Sequence, residues 1–188
     1  ISYTLDTVAP DAPSNLALLA PATSPNNDTT PTIAISGVVS GDNVRLFKEA
    51  DCSNVLGEGT AADVTINIGS SILADGDHTF YARSTDPAGN QSICSSANVS
   101  YTLDTSDPAI PSAILLTSPE SSPNTDTSPQ FRVTGVSEGD IVYLYSDANC
   151  TEEKGRSTVQ GGDNFTDVSS NDLSVGSYTF YTNAQDSA

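Results

Sequence analysis

Aspartates dominate the ionisable residues of this chain, and their carboxylates are suited to hold a divalent cation. The 188 residues carry 24 acidic and 6 basic side chains, for a net charge of −18. Calcium takes six to eight oxygen ligands, and a short Asp side chain holds its carboxylate close to a loop backbone. Eight aspartates are the candidate calcium ligands: Asp6, Asp11, Asp28, Asp75, Asp86, Asp104, Asp107 and Asp186. Two alternatives stay open: Asp often serves the backbone hydrogen bonds of turns, and an acidic surface keeps a protein soluble.

The three cysteines are the second candidate for chemistry. Cys150 lies 98 residues after Cys52, and the counterpart of Cys94 would fall near position 194, so the chain contains one complete pair. A Cys52–Cys94 disulfide would close a loop of about 40 residues and would imply an oxidising, extracellular compartment. The alternative is a pair of buried thiols that fill space. Zinc is disfavoured, because no CxxC occurs.

Several other functions are excluded or unsupported by composition. Nucleic-acid binding needs clustered cations to replace the counterions of phosphate, and this chain has too few. No apolar run approaches the roughly 20 residues of a membrane-spanning helix. His78 has no evident triad partner, there is no GxSxG motif, and the Asp77-His78-Thr79 context indicates an exposed strand residue. The chain is therefore predicted not to be an enzyme.

An internal repeat organises the sequence. SYTLDT occurs at 2–7 and at 100–105, and the segment 24–52 is similar to 122–150, both at an offset of 98 residues. The segments 75–86 and 175–186 match at an offset of 100. We therefore predict that residues 1–7 are the final strand of a preceding repeat, that 8–105 form one repeat, and that 106–188 form a second repeat truncated before its last strand. A unit of this length has the size of an immunoglobulin-type sandwich.

Short segments with period-two alternation of apolar residues predict strands throughout each repeat. No segment keeps a helical period of 3.6 residues over three turns. The predicted fold is all-β, with two tandem immunoglobulin-like Greek-key β-sandwiches. The residues expected to face the first core are Leu16, Leu18, Ala20, Ile33, Ile35, Val44, Leu46, Val64, Ile66, Ile68, Phe80, Ala82, Val99, Tyr101 and Leu103.

The sandwich topology predicts which loops share a pole. Loops 38–43 and 86–90 should lie at the N-terminal pole, and loops 26–31 and 73–77 at the C-terminal pole, where the last strand ends. At the N-terminal pole this gathers Asp6, Asp11, Asp42 and Asp86. At the other pole, Asp28, Asp75 and Asp77 should meet the linker acids Asp104 and Asp107, together with Glu138, Asp140 and Asp186 of the second repeat.

The sequence resembles the bacterial Ig-like domains that are repeated in very large bacterial surface proteins. The matching segments are NDTTPTIAISG, LADGDHTFYARSTDPAGN and a closing strand followed by LDTVAPDAP. The resemblance implies a module that extends an adhesin from the cell, and related types bind calcium at domain junctions. The second repeat departs from the pattern, since its turn reads SVGSY instead of ADGDH.

The expected function is that of an extender or spacer in a long cell-surface or secreted bacterial adhesin, with junctions rigidified by calcium. Its expected partners are neighbouring repeats of the same chain, with no nucleic acid and no membrane insertion. Two alternatives are a carbohydrate- or protein-binding module, and a filament or sheath subunit that assembles by strand donation between copies.

Overall fold

The computed structural model describes residues 1–186 of the chain. It divides them into two compact units, Ile1–Thr105 and the residues from Ser106 onwards. Each unit is built from antiparallel strands, and no helix occurs among the described residues. The predicted all-β, Ig-like sandwich fold is confirmed.

Unit 1 contains seven strands in two sheets. The strands are β1 (Asn15–Ala20), β2 (Thr32–Ser36), β3 (Asn43–Phe47), β4 (Val55–Thr60), β5 (Thr65–Gly69), β6 (Gly76–Thr85) and β7 (Val99–Leu103). One sheet has the order β1-β2-β5, and the other has the order β4-β3-β6-β7. The chain therefore crosses between the sheets, as a Greek key requires.

The core of unit 1 lies between the inward faces of its two sheets. Alternation places Ile33 and Ile35 of β2 in the same core as Phe80 and Ala82 of β6, and all four are fully buried. Most of the predicted core positions are confirmed. Two predictions are wrong: Val64 precedes β5 and is exposed, and Ala20 at the end of β1 is exposed as well.

Strand β4 has no alternating apolar pattern, and it was not among the predicted strands. Its sequence VLGEGT contains Gly57, where an added Cβ would collide with the backbone carbonyl of Gly69 in the facing sheet. Gly155 of unit 2 has the same relation to the carbonyl of Ser169. Close backbone approach, rather than side-chain burial, explains the glycine at this point of the strand.

Unit 2 contains six strands among its described residues. They are β8 (Ala113–Ser118), β9 (Gln130–Thr134), β10 (Ile141–Tyr145), β11 (Glu153–Thr158), β12 (Phe165–Ser169) and β13 (Tyr181–Gln185). The sheets have the orders β12-β9-β8 and β11-β10-β13. These orders repeat those of β1 to β6 in unit 1.

The core of unit 2 is smaller than that of unit 1. Val133, Val142, Leu144 and Val168 are fully buried, and the aromatic ring of Phe180 packs against the core while remaining half-buried. The ring centroids of Phe131 and Phe180 are 4.5 Å apart.

Residues 1–14 form no strand in this structure. The segment 1–7 is exposed along its whole length, including the side chains of Ile1, Tyr3 and Leu5. Its assignment as the last strand of a preceding repeat stays a prediction. One contact ties it to the sandwich: the Asn90 side-chain amide donates a hydrogen bond to the Asp6 carbonyl at 3.2 Å.

Candidate functional site

The N-terminal pole of unit 1 brings two loops and the segment before β1 together. Asp86 begins the loop after β6, and it accepts hydrogen bonds from the backbone amide and the side-chain amide of Asn90, both at 2.9 Å. The hydrogen bond from the Asn90 side chain contributes most to holding the pKa of Asp86 below its ordinary value, and the backbone hydrogen bonds add to it. The side chain of Asn90 also reaches Asp6, as described above. Asn90 was not among the predicted site residues, although it ends the loop that Asp86 begins.

Asp42 is the buried acid of this pole. Its side chain is 2% exposed, and its Oδ2 atom is buried without a hydrogen-bond partner. Burial raises the pKa of Asp42, the Val39 backbone hydrogen bond opposes the shift, and repulsion from Asp86 adds to it. A carboxylate removed from water without full compensation is costly. A cation close to Asp42 would therefore stabilise its buried carboxylate.

The C-terminal pole of unit 1 holds its acids differently. Asp28 accepts hydrogen bonds from the Thr30 amide and hydroxyl, and Asp75 accepts them from the amide and hydroxyl of Thr105. The carboxylate of Asp77 accepts one from the Thr102 hydroxyl at 2.6 Å. Neighbouring hydroxyls and amides thus stabilise these charges locally, as the turn interpretation of Asp expects.

A buried tyrosine joins the loop 26–31 to β7. The Tyr101 hydroxyl donates to the carbonyls of Asn26 at 3.1 Å and Asp28 at 2.6 Å. Burial, and secondarily the charge of Asp28, raises the pKa of Tyr101. The geometry of the C-terminal pole in unit 1 therefore depends on β7 as well as on the loops, whereas Tyr101 was predicted only as a packing residue.

The remaining predicted ligands are dispersed over the two units. Asp11 and Asp107 are exposed, Asp186 is half-buried, and the backbone amide of Asp104 donates to the Asn26 carbonyl at 3.1 Å. Over residues 1–186, no group of three or more His, Cys, Asp or Glu side chains lies close enough together to hold a metal ion. The eight-residue calcium assignment stays a prediction, and no single unit assembles a complete acidic ligand set from its described residues.

Asp140 is the counterpart of Asp42 in unit 2. It is 4% exposed, and its Oδ2 atom accepts a hydrogen bond from the Ser137 amide at 2.8 Å. The backbone of both residues closes the same turn: the Asp42 amide donates to Val39, and the Asp140 amide donates to Ser137. The burial of these aspartates is therefore a feature of the repeat.

The structure contains the predicted disulfide. Cys52 and Cys94 are joined with Cα atoms 5.8 Å apart. Cys52 has a φ of 56°, a conformation that few non-glycine residues adopt, and Cys150 has nearly the same φ of 53°. Cys150 is a half-buried free thiol. The turn that presents the cysteine is thus formed in both units, with or without a partner.

His78 differs from its prediction. It was expected to be exposed, yet it is 6% exposed because the β6–β7 pairing places its ring under the loop before β6. Its Nε2 atom lies 2.7 Å from the Ala74 carbonyl, so this nitrogen carries the proton and donates. The role of His78 here is to anchor the turn.

A shallow depression of about 410 Å³ lies on unit 2, beside the segment where the repeats differ in length. It is lined by Ser157, Thr158, Gln160, Asp163, Phe165, Thr166 and Asp167. Arg132 covers the Phe165 ring at 4.3 Å from its centroid and forms a two-point ion pair with Asp167, both bonds at 2.8 Å. The aromatic face is therefore already occupied by a cation.

None of the described residues forms a helix that is long and apolar enough to cross a membrane. No curated protein is significantly similar to the chain in sequence. Among solved structures, similar folds include the human OSCAR ligand-binding domain, at 13% identity and a TM-score of 0.41, with 95% of this chain and 92% of that chain covered. The BSP domain of a biofilm associated protein is 14% identical at a TM-score of 0.31, with coverage of 95% and 27%.

A third similar structure is an α-L-rhamnosidase of Streptomyces avermitilis, at 15% identity and a TM-score of 0.29, with coverage of 89% and 23%. The chain therefore spans about a quarter of each of these last two structures. A family model described as the bacterial Ig-like domain matches residues 23–105. Residues 23–105, which include β2 to β7 of unit 1, are therefore similar in sequence to the bacterial Ig-like domain.

Proposed function

We propose that this chain is a non-enzymatic extender module of a long bacterial cell-surface or secreted adhesin. Its partners would be neighbouring repeats of the same chain, and its location would be extracellular. The observation that carries the proposal is the repetition of one strand order in two successive units, the first of which matches a bacterial Ig-like family. A disulfide in unit 1 agrees with an oxidising environment.

We further propose that calcium stiffens the junctions between successive units. Asp42 supports this, since its buried Oδ2 atom lacks a partner and Asp86 lies near enough to raise its pKa. The Asp6 carbonyl, held by Asn90, adds a neutral oxygen at the same pole. These groups are the right chemistry for calcium, which accepts carboxylate and carbonyl oxygens together. They do not complete a coordination sphere, so further oxygens from water or an adjoining repeat would be needed.

Calorimetric titration of calcium into chelator-treated protein tests this proposal. We expect heat of binding and a higher melting temperature with calcium than with the chelator, because a ligand that binds only the folded state stabilises it. Asp42→Asn and Asp86→Asn should each reduce the calcium-dependent shift. Glu58→Gln is the matched control, because it removes one charge in the middle of β4.

Small-angle X-ray scattering of the same samples tests the mechanical part. Calcium should narrow the distribution of particle dimensions, and chelation should broaden it. Unchanged scattering and no binding heat would contradict a calcium-stiffened spacer. Equal responses to magnesium and calcium would indicate general screening of the −18 charge instead.

The depression on unit 2 favours one second candidate, a binding module for a polar ligand such as a carbohydrate. Its lining is mostly hydroxyl, amide and carboxylate groups, which suit hydrogen bonding to such a ligand. A glycan-binding screen, with Gln160→Ala as the variant, tests it. Binding that Gln160→Ala abolishes would favour this function over the spacer.

A further inference from the structure

The two units differ in the loop that joins their sheets at one side of the sandwich. In unit 1 this loop comprises residues 61–64, between β4 and β5, and in unit 2 it comprises residues 159–164, between β11 and β12. The longer loop contains a turn at Gly161 and Gly162, whose φ values are 77° and 74°. The sheet orders place β11 and β12 at the side of unit 2 opposite to β8 and β13, so the first and last strands of the unit take no part in this region.

The depression on unit 2 has polar groups where unit 1 has an apolar contact. In unit 1, an added Cβ on Gly59 of β4 would lie 2.9 Å from the Cδ1 atom of Ile66 in β5. The strand registers make Ser157 the counterpart of Gly59, and Thr166 the counterpart of Ile66. The hydroxyls of Ser157 and Thr166 are hydrogen-bonded at 3.0 Å, and both residues line the depression. The fold of the repeat therefore does not require hydroxyls at this point.

This hydroxyl pair retains capacity for a ligand. A hydroxyl has one donor and two acceptor sites, so the bond between Ser157 and Thr166 leaves one donor and three acceptor sites unused. The Thr158 hydroxyl and the Gln160 amide lie in the same lining. The aromatic ring of the lining is already covered by a cation. Hydrogen bonds, rather than ring stacking, would therefore hold a ligand here.

Negative charge predominates around the depression. Asp163 belongs to its lining, and an added Cβ on Gly162 would lie 3.9 Å from a carboxylate oxygen of Glu138. Arg132, the cation at this site, is bonded at two points to Asp167. The ion pairs described for residues 1–186 include neither Asp163 nor Glu138. A ligand that carries a positive group would therefore be favoured over a neutral or an anionic one.

We propose that the depression on unit 2 binds an amino sugar. The inference rests on the carbohydrate-binding candidate proposed above, and it specifies the class of sugar. The hydroxyls of the ligand would bond to Ser157, Thr166 and Gln160. Its ammonium group would lie beside Asp163, because hydrogen bonds between ionised groups are stronger than neutral ones. A lysine side chain would satisfy the carboxylate but would leave the hydroxyl pair without ligand partners, which favours a sugar over a peptide.

Calorimetric titration with three matched tetrasaccharides tests the selection by charge. The probes are the tetramers of glucosamine, N-acetylglucosamine and glucose with a common linkage, at a slightly acidic pH at which the amine is protonated. We expect the glucosamine tetramer to bind about tenfold more tightly than the other two, and high salt to weaken this binding. Tetralysine controls for general attraction to a chain with a charge of −18, and it should bind more weakly.

Variants with matched controls locate the site. Asp163→Asn should weaken binding of the glucosamine tetramer by about fivefold or more. Asp63→Asn removes the same charge from the exposed, shorter loop of unit 1 and should leave the affinity unchanged.

A second set of variants tests the hydroxyl pair. Ser157→Gly with Thr166→Ile gives unit 2 the residues that unit 1 has at these positions, so this double variant should fold and lose binding. Thr166→Val is the milder variant, because valine has nearly the shape of threonine and lacks the hydroxyl. Thermal melting curves check that both variants are folded.

The outcomes separate this inference from the function on which it rests. Equal binding of the glucose and glucosamine tetramers, abolished for both by Ser157→Gly with Thr166→Ile, would retain carbohydrate binding and refute the selection by charge. Absence of binding for all three tetramers would refute both. If tetralysine bound as tightly as the glucosamine tetramer, or if Asp163→Asn and Asp63→Asn weakened binding equally, the attraction would be general and the proposed site would be wrong.

Discussion

Units 1 and 2 share a strand order, a turn conformation and a buried aspartate, but they differ in what completes the sandwich. Unit 1 has a seventh strand, a disulfide and the fully buried aromatic side chains of Phe80 and Tyr101. Unit 2 has a half-buried aromatic cluster, a free thiol and a two-point ion pair across β9 and β12. The comparison separates features that belong to the repeat itself from features that depend on the last strand.

The first half of the sixth strand is one of the features that depend on the last strand. Gly76–Phe80 are paired only in the presence of β7, and their counterparts in unit 2 have no regular structure. Strand formation in this segment thus depends on pairing and not on local propensity, since Thr79-Phe80-Tyr81 and Thr179-Phe180-Tyr181 have the same sequence.

The largest expected difference between the units concerns the disulfide. Replacing both cysteines, as Cys52→Ser with Cys94→Ser, should lower the unfolding free energy of unit 1 by about 4 kcal/mol, because a closed loop of this length restricts the unfolded chain. Hydrogen exchange, measured separately on peptides of each unit, reports the change. Unit 2 should keep its protection. Cys150→Ser is the control, and equal destabilisation of both units would contradict an independent role for the bond.

The next effect concerns the hydroxyl of Tyr101. Tyr101→Phe should destabilise unit 1 by about 1–2 kcal/mol, because the partly buried Asp28 carbonyl loses the Tyr101 hydroxyl as a donor and the Asn26 carbonyl keeps the Asp104 amide. Urea unfolding measures it. Tyr143→Phe in unit 2 is the matched control, since its hydroxyl bonds the exposed Gln185 side chain. If the two variants lost equal stability, the anchoring role of Tyr101 would be wrong.

A smaller effect is expected for the Arg132–Asp167 pair of unit 2. Asp167→Asn should cost about 1 kcal/mol at neutral pH, since the pair is partly exposed but bonded at two points. The hydrogen bond with Arg132 lowers the pKa of Asp167. The contribution is therefore present above the ordinary Asp pKa and is lost as the pH falls through the lowered pKa.

Urea unfolding of Asp167→Asn as a function of pH checks this sign. In unit 1 the directly opposed pair Arg45–Glu58 is more exposed, and a single bond of 2.9 Å is described for it. Glu58→Gln should accordingly have the smaller effect. A larger loss for Glu58→Gln, or a loss for Asp167→Asn that grows in acid, would contradict the ranking.

The smallest expected effect has the opposite sign. Burial raises the pKa of Asp42, so its ionisation opposes folding as the pH rises through that raised pKa. In the presence of a chelator, Asp42→Asn should therefore slightly raise the melting temperature of unit 1 at neutral pH, and the gain should vanish in acid. Scanning calorimetry at several pH values measures it. A gain that persists in acid would show that the charge is not the cause.

The sequence by itself determined the all-β class, the core positions of β2, β3, β6 and β7, and the cysteine pair. Period-two alternation specifies the strands and core positions within each segment, and comparison of the two repeats specifies the cysteine pair. It also indicated which loops of unit 1 share a pole. The sequence did not reveal β4, where Gly57 is needed because the backbone of the facing sheet lies too close for a side chain. It also did not reveal the burial of His78.

Tertiary structure alone decided which acids stay close to one another and which are stabilised by neighbouring groups. From the sequence alone, Asp42, Asp75 and Asp86 are all acids in loops at the poles of the sandwich, and nothing distinguishes their environments. In the folded unit, Asp75 is bonded by Thr105, Asp86 by Asn90, and Asp42 is buried with an unpartnered oxygen. The physical reason is that desolvation and hydrogen bonding depend on residues distant along the chain, and only the packed sandwich brings those residues together.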